Sequence, residues 1–198
     1  MCMCKIFEKK NKHKMAARTE WRQGDFLVSI ARNLFQPSAI NNAFASDYIY
    51  WASPMEETLL EKMLDHSLCF GVYKVANSSS DVHGQVFQIS SRLKLLTLGI
   101  DSNNLRQIGL ARLITDQVTF AYLTDVYILE QYQGKGLGSF LIGCVNETLL
   151  SWPALRGTFL MTSGGDFYTK RLEMKPFDGA KIGVQWMVKK GPRYGLSD

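Results

Sequence analysis

The segment from Gln133 to Gly138, which reads QGKGLG, lies between a predicted strand and a predicted helix. Because glycine tolerates backbone conformations that other residues avoid, alternating glycines can turn several N–H groups toward one point. The N-terminus of the following helix adds its own free N–H groups and the positive end of the helix dipole. The segment therefore predicts a binding site for a pyrophosphate, and the alternative is an ordinary glycine turn.

Two common phosphate-binding motifs do not fit this segment. A P-loop requires G-x-x-x-x-G-K-[ST], but Leu129 and Gly136 occupy the positions of its first glycine and its Ser/Thr. A dinucleotide-binding loop requires G-x-G-x-x-G, but Ser139 stands in place of the last glycine. The pattern that fits is Q/R-x-x-G-x-G/A, through Gln133, Gly136 and Gly138.

The elements that would hold this loop are a β-hairpin and a helix. Apolar runs rich in β-branched and aromatic residues predict two antiparallel strands over residues 108–115 and 119–129. A helix is predicted over residues 139–150, and a strand over residues 159–162 completes a β-α-β unit.

Outside this unit the sequence predicts further strands and helices. Strands are predicted over residues 26–30, 67–75 and 182–188. Helices are predicted after a capping box at Ser53–Glu56 and over residues 166–172, and residues 38–50 are predicted to be helical or irregular. The stretch at about 77–106 is long for a connection and is predicted to be an insertion. We therefore predict an α+β, three-layer fold in a single domain over residues 21–198, with a mixed, mostly antiparallel central sheet and helices on both faces.

The net positive charge of the chain comes from its N-terminal residues. Residues 1–22 carry seven Lys/Arg and two Asp/Glu, which accounts for the whole net charge of +5. We predict a flexible basic tail over residues 1–20 and do not expect the domain to bind nucleic acid. The sequence has no apolar run of transmembrane length, no signal-peptide pattern, and no disulfide or zinc-ligand spacing among its four cysteines. These features predict an intracellular, cytoplasmic protein that has no membrane anchor and no metal.

Three stretches resemble the GNAT superfamily of acetyl-CoA-dependent N-acetyltransferases. They are DVYILEQYQGKGLGSFLIG (125–143), GGDFYTKRLEMKPF (164–177), and the pair SDYIYWA and SLCFGVYKV within residues 46–75, which is similar to a fungal-type subgroup of small members with unassigned substrate. The resemblance covers roughly residues 21–76 and 107–190. It implies the acyl-CoA N-acyltransferase fold and a transferase that uses acetyl-CoA as its co-substrate.

The resemblance also implies which residues bind acetyl-CoA. In this family the pantetheine arm lies between two strands that splay apart, so backbone groups of Val126, Tyr127 and Ile128 should bind the acetyl and pantetheine groups. The pyrophosphate should lie against the loop and the start of the helix, formed by Gln133, Gly134, Lys135, Gly136, Leu137, Gly138 and Ser139.

Two residues are candidates for proton transfer. Tyr168 matches the family's tyrosine near the thioester sulfur, which implies that its phenol donates a proton to the leaving thiolate. Asp125 matches an acidic position common in the family and is the candidate general base, but strand alternation directs it away from the cleft unless a bulge re-aims it. A structural carboxylate, with proton removal through ordered water, is the alternative. The family pattern places a glycine about four residues after the tyrosine, and Glu173 stands near that place here.

The expected function is transfer of an acetyl group from acetyl-CoA to a primary amine of a small molecule or peptide, by direct attack in a ternary complex. One alternative is a catalytically weak acetyl-CoA-binding regulatory module, because no carboxylate is predicted on the cleft face of strand 119–129. The other is a nucleic-acid-binding protein that works through its basic arm. It ranks last because the rest of the chain is neutral.

Overall fold

The computed structural model describes residues 18–76 and 104–183. The strands in these ranges are β1 (Glu20–Gln23), β2 (Phe26–Ser29), β3 (Leu68–Val75), β4 (Leu105–Thr115), β5 (Phe120–Ile128) and β6 (Gly157–Phe159). The α-helices are α1 (Pro37–Phe44), α2 (Glu57–Asp65), α3 (Leu137–Leu150) and α4 (Gly165–Leu172), and short 3-10 turns lie at Arg32–Leu34, Glu130–Tyr132 and Gly179–Ile182. The chain divides into two compact units, of which the first ends at Met161 and the second begins at Thr162.

The six strands form one sheet in the order β1-β2-β3-β4-β5-β6. Neighbouring strands are antiparallel from β1 to β5, and β5 pairs with β6 in parallel. Helix α3 makes the crossover that a parallel pair requires, since a tight turn reverses the chain. The predicted mixed, mostly antiparallel sheet and the β-α-β unit are therefore confirmed.

Helices cover both faces of the sheet, as two neighbouring residues of β3 show. Successive side chains of a strand point to opposite faces, so Cys69 and Phe70 report on different layers. Cys69 belongs to an apolar cluster with Ile40, Ala43, Phe44, Leu60 and Leu64 of α1 and α2. Phe70 instead contacts the ring of Trp21, whose Nε1 donates a hydrogen bond to Glu147 of α3 at 2.8 Å.

The predicted start of helix α2 is wrong. The capping box would begin the helix at Pro54, whereas α2 begins at Glu57 and Glu56 makes no side-chain cap. The reason is tertiary, because the Asn41 amide of α1 donates to the Met55 carbonyl at 2.7 Å and accepts from the Met55 N–H at 3.1 Å. This clamp commits the backbone of Met55 to α1 and keeps it outside the helix.

Several other predicted boundaries shift. Strand β1 begins at Glu20, inside the predicted tail, and β4 begins at Leu105, inside the predicted insertion. Strand β6 spans residues 157–159 rather than 159–162, and Ile182 ends a 3-10 turn instead of beginning a strand. Residues 1–17 of the tail, 77–103 of the insertion and 184–188 of the last predicted strand lie outside the described residues.

Candidate active site

The three residues of strand β6 pair only with the first three residues of β5. The parallel register joins Phe120 to Gly157, Ala121 to Thr158 and Tyr122 to Phe159. Strand β5 continues for six residues beyond Tyr122, and no strand in the described part of the chain pairs with that length on the β6 side. The last part of β5 therefore has a backbone edge with which no described strand pairs, and the chain continues from it into the loop before α3.

A β-bulge interrupts β5 within this edge. The register pairs on its two sides are Arg112–Thr124 and Leu110–Tyr127. One β4 residue lies between these pairs, whereas two β5 residues, Asp125 and Val126, lie between them. The extra residue bends the strand and leaves backbone groups outside the ladder. Asp125 has a φ of 50°, in the left-handed region that favours glycine.

The bulge directs Asp125 toward Arg112. The Asp125 Oδ2 atom accepts a hydrogen bond from Arg112 Nε at 2.6 Å, and Oδ1 accepts one from the Thr124 hydroxyl at 3.3 Å. Arg112 lies opposite Thr124 in the ladder, so its side chain is on the same face of the sheet as that of Thr124. The bulge thus places the Asp125 carboxylate on the face from which simple alternation would exclude it.

The loop after β5 has the conformation that its glycines predict. Gly134 and Gly136 have φ values of 73° and 76°, and Gly136 is the N-cap of α3 without a side-chain cap. The first helical hydrogen bond runs from the Phe140 N–H to the Gly136 carbonyl at 3.0 Å. The N–H groups of residues 137–139 therefore have no partner within the helix. The Gln133 amide ties the loop to the strand, since Nε2 donates to the Ile128 carbonyl at 2.9 Å.

Two tyrosines lie close to the site in the first unit. Tyr127 is buried among residues of α1 and α2, and its ring packs edge-on against Phe44 at 6.2 Å. Burial, with Tyr48 and Asp125 nearby, raises the pKa of Tyr127. Burial and the charge of Glu130 also raise the pKa of Tyr48, whose hydroxyl has no hydrogen-bond partner among the described residues. Both phenols are therefore neutral near pH 7.

The second unit carries Tyr168 on α4. Its ring packs edge-on against Phe167 at 5.1 Å, and burial raises the pKa of its phenol. Glu173 ends α4 with a φ of 55°, the left-handed conformation that glycine usually supplies at a helix C-terminus. Glu173, which lies near the place where the family pattern has a glycine, thus adopts a backbone conformation typical of glycine.

Two residues of the site were missed in the sequence. They are Arg112, which binds Asp125, and Ser67, whose hydroxyl accepts a hydrogen bond from Arg112 at 3.1 Å. A signal existed for Arg112, because a charged residue inside the apolar strand GLARLIT needs a partner if it is buried. Ser67 gave no comparable signal.

The fold is similar to those of two solved structures, one described as a putative and the other as a probable acetyltransferase. A GNAT-family protein from Xanthomonas campestris pv. campestris superposes with a TM-score of 0.56 at 26% identity, covering 82% of this chain and 93% of that one. A protein of unknown function from meticillin-resistant Staphylococcus aureus superposes with a TM-score of 0.52 at 18% identity, covering 84% of this chain and 99% of that one, and shows the fold alone. The fold is that of the acyl-CoA N-acyltransferase class.

Sequence comparison identifies the family. The sequence model described as "Acetyltransferase (GNAT) family" matches residues 88–160. A Gibberella zeae protein named as a putative acetyltransferase is 39% identical over 176 residues, which cover 87% of this chain and 93% of that protein. The chain belongs to the GNAT family of acetyltransferases, so the predicted resemblance and fold are confirmed.

The family generally uses acetyl-CoA and acts on amines. Within the described ranges there is no group of three or more His, Cys, Asp or Glu residues placed to hold a metal ion. In the same residues no helix has the length and apolar character to span a bilayer.

Proposed function

We propose that this protein transfers the acetyl group of acetyl-CoA to a primary amine within a ternary complex. The observation that carries the proposal is the edge of β5 with which no described strand pairs beyond Tyr122, and which leads into a glycine loop and the uncapped N-terminus of α3. An extended amide chain can hydrogen-bond such an edge as an additional strand would. A phosphate group at the end of that chain would then reach the loop.

The loop has room and donors for a pyrophosphate. A β-carbon added at Gly134 or Gly136 would meet no atom within 4 Å, so the space above both residues is open. The free N–H groups at the start of α3 and the helix dipole favour an anion there. Lys135 holds its ammonium 5.3 Å from the centre of the Tyr132 ring. We propose that this cation–π contact keeps Lys135 near the nucleotide phosphates.

The backbone of Val126, Tyr127 and Ile128 is the proposed binding site for the pantetheine amides and the acetyl group. Val126 lies in the bulge and Tyr127 and Ile128 follow it, and the bulge leaves backbone groups of β5 outside the ladder with β4. A backbone N–H in this stretch would stabilise the negative charge that develops on the thioester oxygen during attack.

Two protons must move during the proposed reaction. An alkylamine has a pKa near 10.4, so it must lose a proton before its nitrogen attacks the thioester carbon. As the C–S bond breaks, the thiolate takes up a proton, and Tyr168 is the proposed donor because its phenol is protonated near pH 7. Asp125 remains the candidate base. Because both of its oxygens already accept hydrogen bonds, removal of the amine proton through water is the competing route.

One observation favours a second function, that of a catalytically weak acetyl-CoA-binding module. The one carboxylate of β5 is Asp125, and it is ion-paired with Arg112. A regulatory module would bind acetyl-CoA with the same loop and strand and would not need a free base.

Two measurements test the proposal. Calorimetry with acetyl-CoA should show one site per chain, and failure to bind would remove both candidate functions. Thiol release from acetyl-CoA should then be followed over a panel of small amines, lysine peptides and peptide N-termini. Amine-dependent release supports the enzyme, whereas binding without release by any acceptor supports the module.

A further inference from the structure

The ion pair between Arg112 and Asp125 is nearly buried. The Arg112 side chain is 14% exposed and that of Asp125 is 9% exposed. A buried ion pair must overcome the loss of hydration of two charges, and it does so only with good geometry and further hydrogen bonds. This pair has both, since the Nε–Oδ2 distance is 2.6 Å and Thr124 binds the second carboxylate oxygen.

Arg112 also connects the bulge to helix α2. Its guanidinium donates to the Ser67 hydroxyl at 3.1 Å, and that hydroxyl donates to the Met63 carbonyl of α2 at 2.8 Å. The Asp125 carboxylate is thus fixed, through Arg112, to the end of a helix that packs on the sheet. A chain of side-chain hydrogen bonds therefore runs from the bulge to the last turn of α2.

The backbone at Asp125 needs such support. A non-glycine residue in the left-handed region costs roughly 1–2 kcal/mol relative to ordinary strand geometry. Asparagine and aspartate tolerate this region better than other non-glycine residues. A regular β4–β5 ladder without the bulge, in which the register shifts by one residue, remains the competing arrangement. Something must therefore hold the extra residue in β5.

We propose that Arg112 and Asp125 are positioning residues, which hold the β5 bulge and thereby place the backbone of Val126 and Tyr127 against the acetyl group. This inference rests on the proposed acetyl transfer. It adds a role for the nearly buried ion pair that joins β4 to the bulge of β5. Asp125 acts through the backbone of its neighbours and takes no proton in this role.

The experiment compares variants that separate the charge from the backbone conformation. Asp125→Gly relieves the left-handed backbone but removes the carboxylate. Asp125→Asn keeps the left-handed preference and one acceptor but removes the charge. Arg112→Met removes the partner. Asp65→Asn is the matched control, because it breaks the exposed Arg32–Asp65 ion pair at the end of α2.

With the best amine of the panel, kcat should fall about 10²-fold in Asp125→Gly and in Arg112→Met, and about tenfold in Asp125→Asn. The KM for acetyl-CoA should change much less than kcat, and Asp65→Asn should match the wild type. The kcat–pH profile of Asp125→Asn should keep its shape. If Asp125 is the general base, that profile loses its acidic limb and Arg112→Met retains turnover, which overturns the positioning role.

Three further outcomes are decisive. An Asp125→Gly variant with wild-type kcat shows that the backbone alone sets the bulge and overturns the inference. If the single variants fail to fold, the double variant Arg112→Met/Asp125→Asn removes the unpaired charge, and wild-type kcat in that protein also overturns it. If the wild type neither binds nor turns over acetyl-CoA, the proposed function fails and this inference falls with it. If the wild type binds and turns over acetyl-CoA and only the Arg112 and Asp125 variants lose kcat, the loss of kcat reports on the ion pair and leaves the proposed function standing.

Discussion

The ring of Tyr73 fills the space that a side chain at Gly71 would occupy. A β-carbon built on Gly71 would overlap the Tyr73 hydroxyl and would lie 2.6 Å from its Cζ atom. Both residues are on β3, two positions apart and therefore on the same face of the sheet. Tyr73 is fully buried, and its hydroxyl has no hydrogen-bond partner among the described residues.

Removing that hydroxyl should stabilise the protein. A buried hydroxyl without a partner loses its hydration and gains nothing in return, so Tyr73→Phe should raise the free energy of unfolding by about 1 kcal/mol. Urea denaturation followed by circular dichroism measures the change. A loss of stability would show that the hydroxyl has a partner in solution, such as an ordered water.

Gly71→Ala should destabilise the protein by about 1–3 kcal/mol, because the buried ring has no room to move away from the added methyl group. Gly143→Ala is the matched control. A β-carbon at Gly143 meets nothing within 4 Å, and the residue lies inside α3. The control should be neutral or slightly stabilising. Equal stability of the two variants in urea would contradict the packing described for Tyr73.

Gly136→Glu should weaken acetyl-CoA binding about tenfold or more. The substitution places a negative charge at the N-terminus of α3 and forces a side chain into a backbone with a φ of 76°. Calorimetry of the folded variant measures the dissociation constant. Gly143→Glu carries the same charge on the same helix and should bind as the wild type does. Normal binding by Gly136→Glu would remove the loop from the site.

Tyr168→Phe should lower kcat about 10²-fold with little change in the KM for acetyl-CoA, because it removes a proton donor and leaves the ring. Since burial raises the pKa of Tyr168, the phenol is protonated across neutral pH and the loss should be uniform from pH 6 to pH 9. Phe167→Leu, which disturbs the packing of the same ring without touching a proton, is the control. Unchanged turnover in Tyr168→Phe at every pH would end its assignment as the acid.

Stability should decrease between about pH 9 and pH 12. Burial raises the pKa of Cys69 and of Cys144 to about 12, from an ordinary value of 9.0. The unfolded chain therefore loses its thiol protons first as the pH rises, which favours unfolding, whereas below pH 9 both states keep them. Urea denaturation at pH 8, 9 and 10 measures the slope. The double variant Cys69→Ala/Cys144→Ala should have a shallower slope, and an unchanged one would show that other groups cause it.

Local features of the site were readable from the sequence. Positive φ at Gly134 and Gly136 is a property of single residues, and the spacing of glycines between a strand and a helix predicts it directly. The left-handed end of α4 at Glu173 was not readable in this way, because glutamate gives no local sign of that conformation. The start of α2 was misread because Asn41 of α1 binds the backbone of Met55.

The sequence alone thus determined the family, the strand–loop–helix unit and the left-handed conformation of two loop glycines, since these depend on residue types at short spacing. Only the tertiary structure decided the direction of Asp125. A bulge exists when one strand has more residues than its neighbour between the same two pairs of partners, as β5 has two where β4 has one. This difference depends on how the two strands pair, so the sequence of either strand alone does not reveal it. The partner Arg112 is 13 residues away along the chain, and folding brings its Nε to 2.6 Å from the carboxylate.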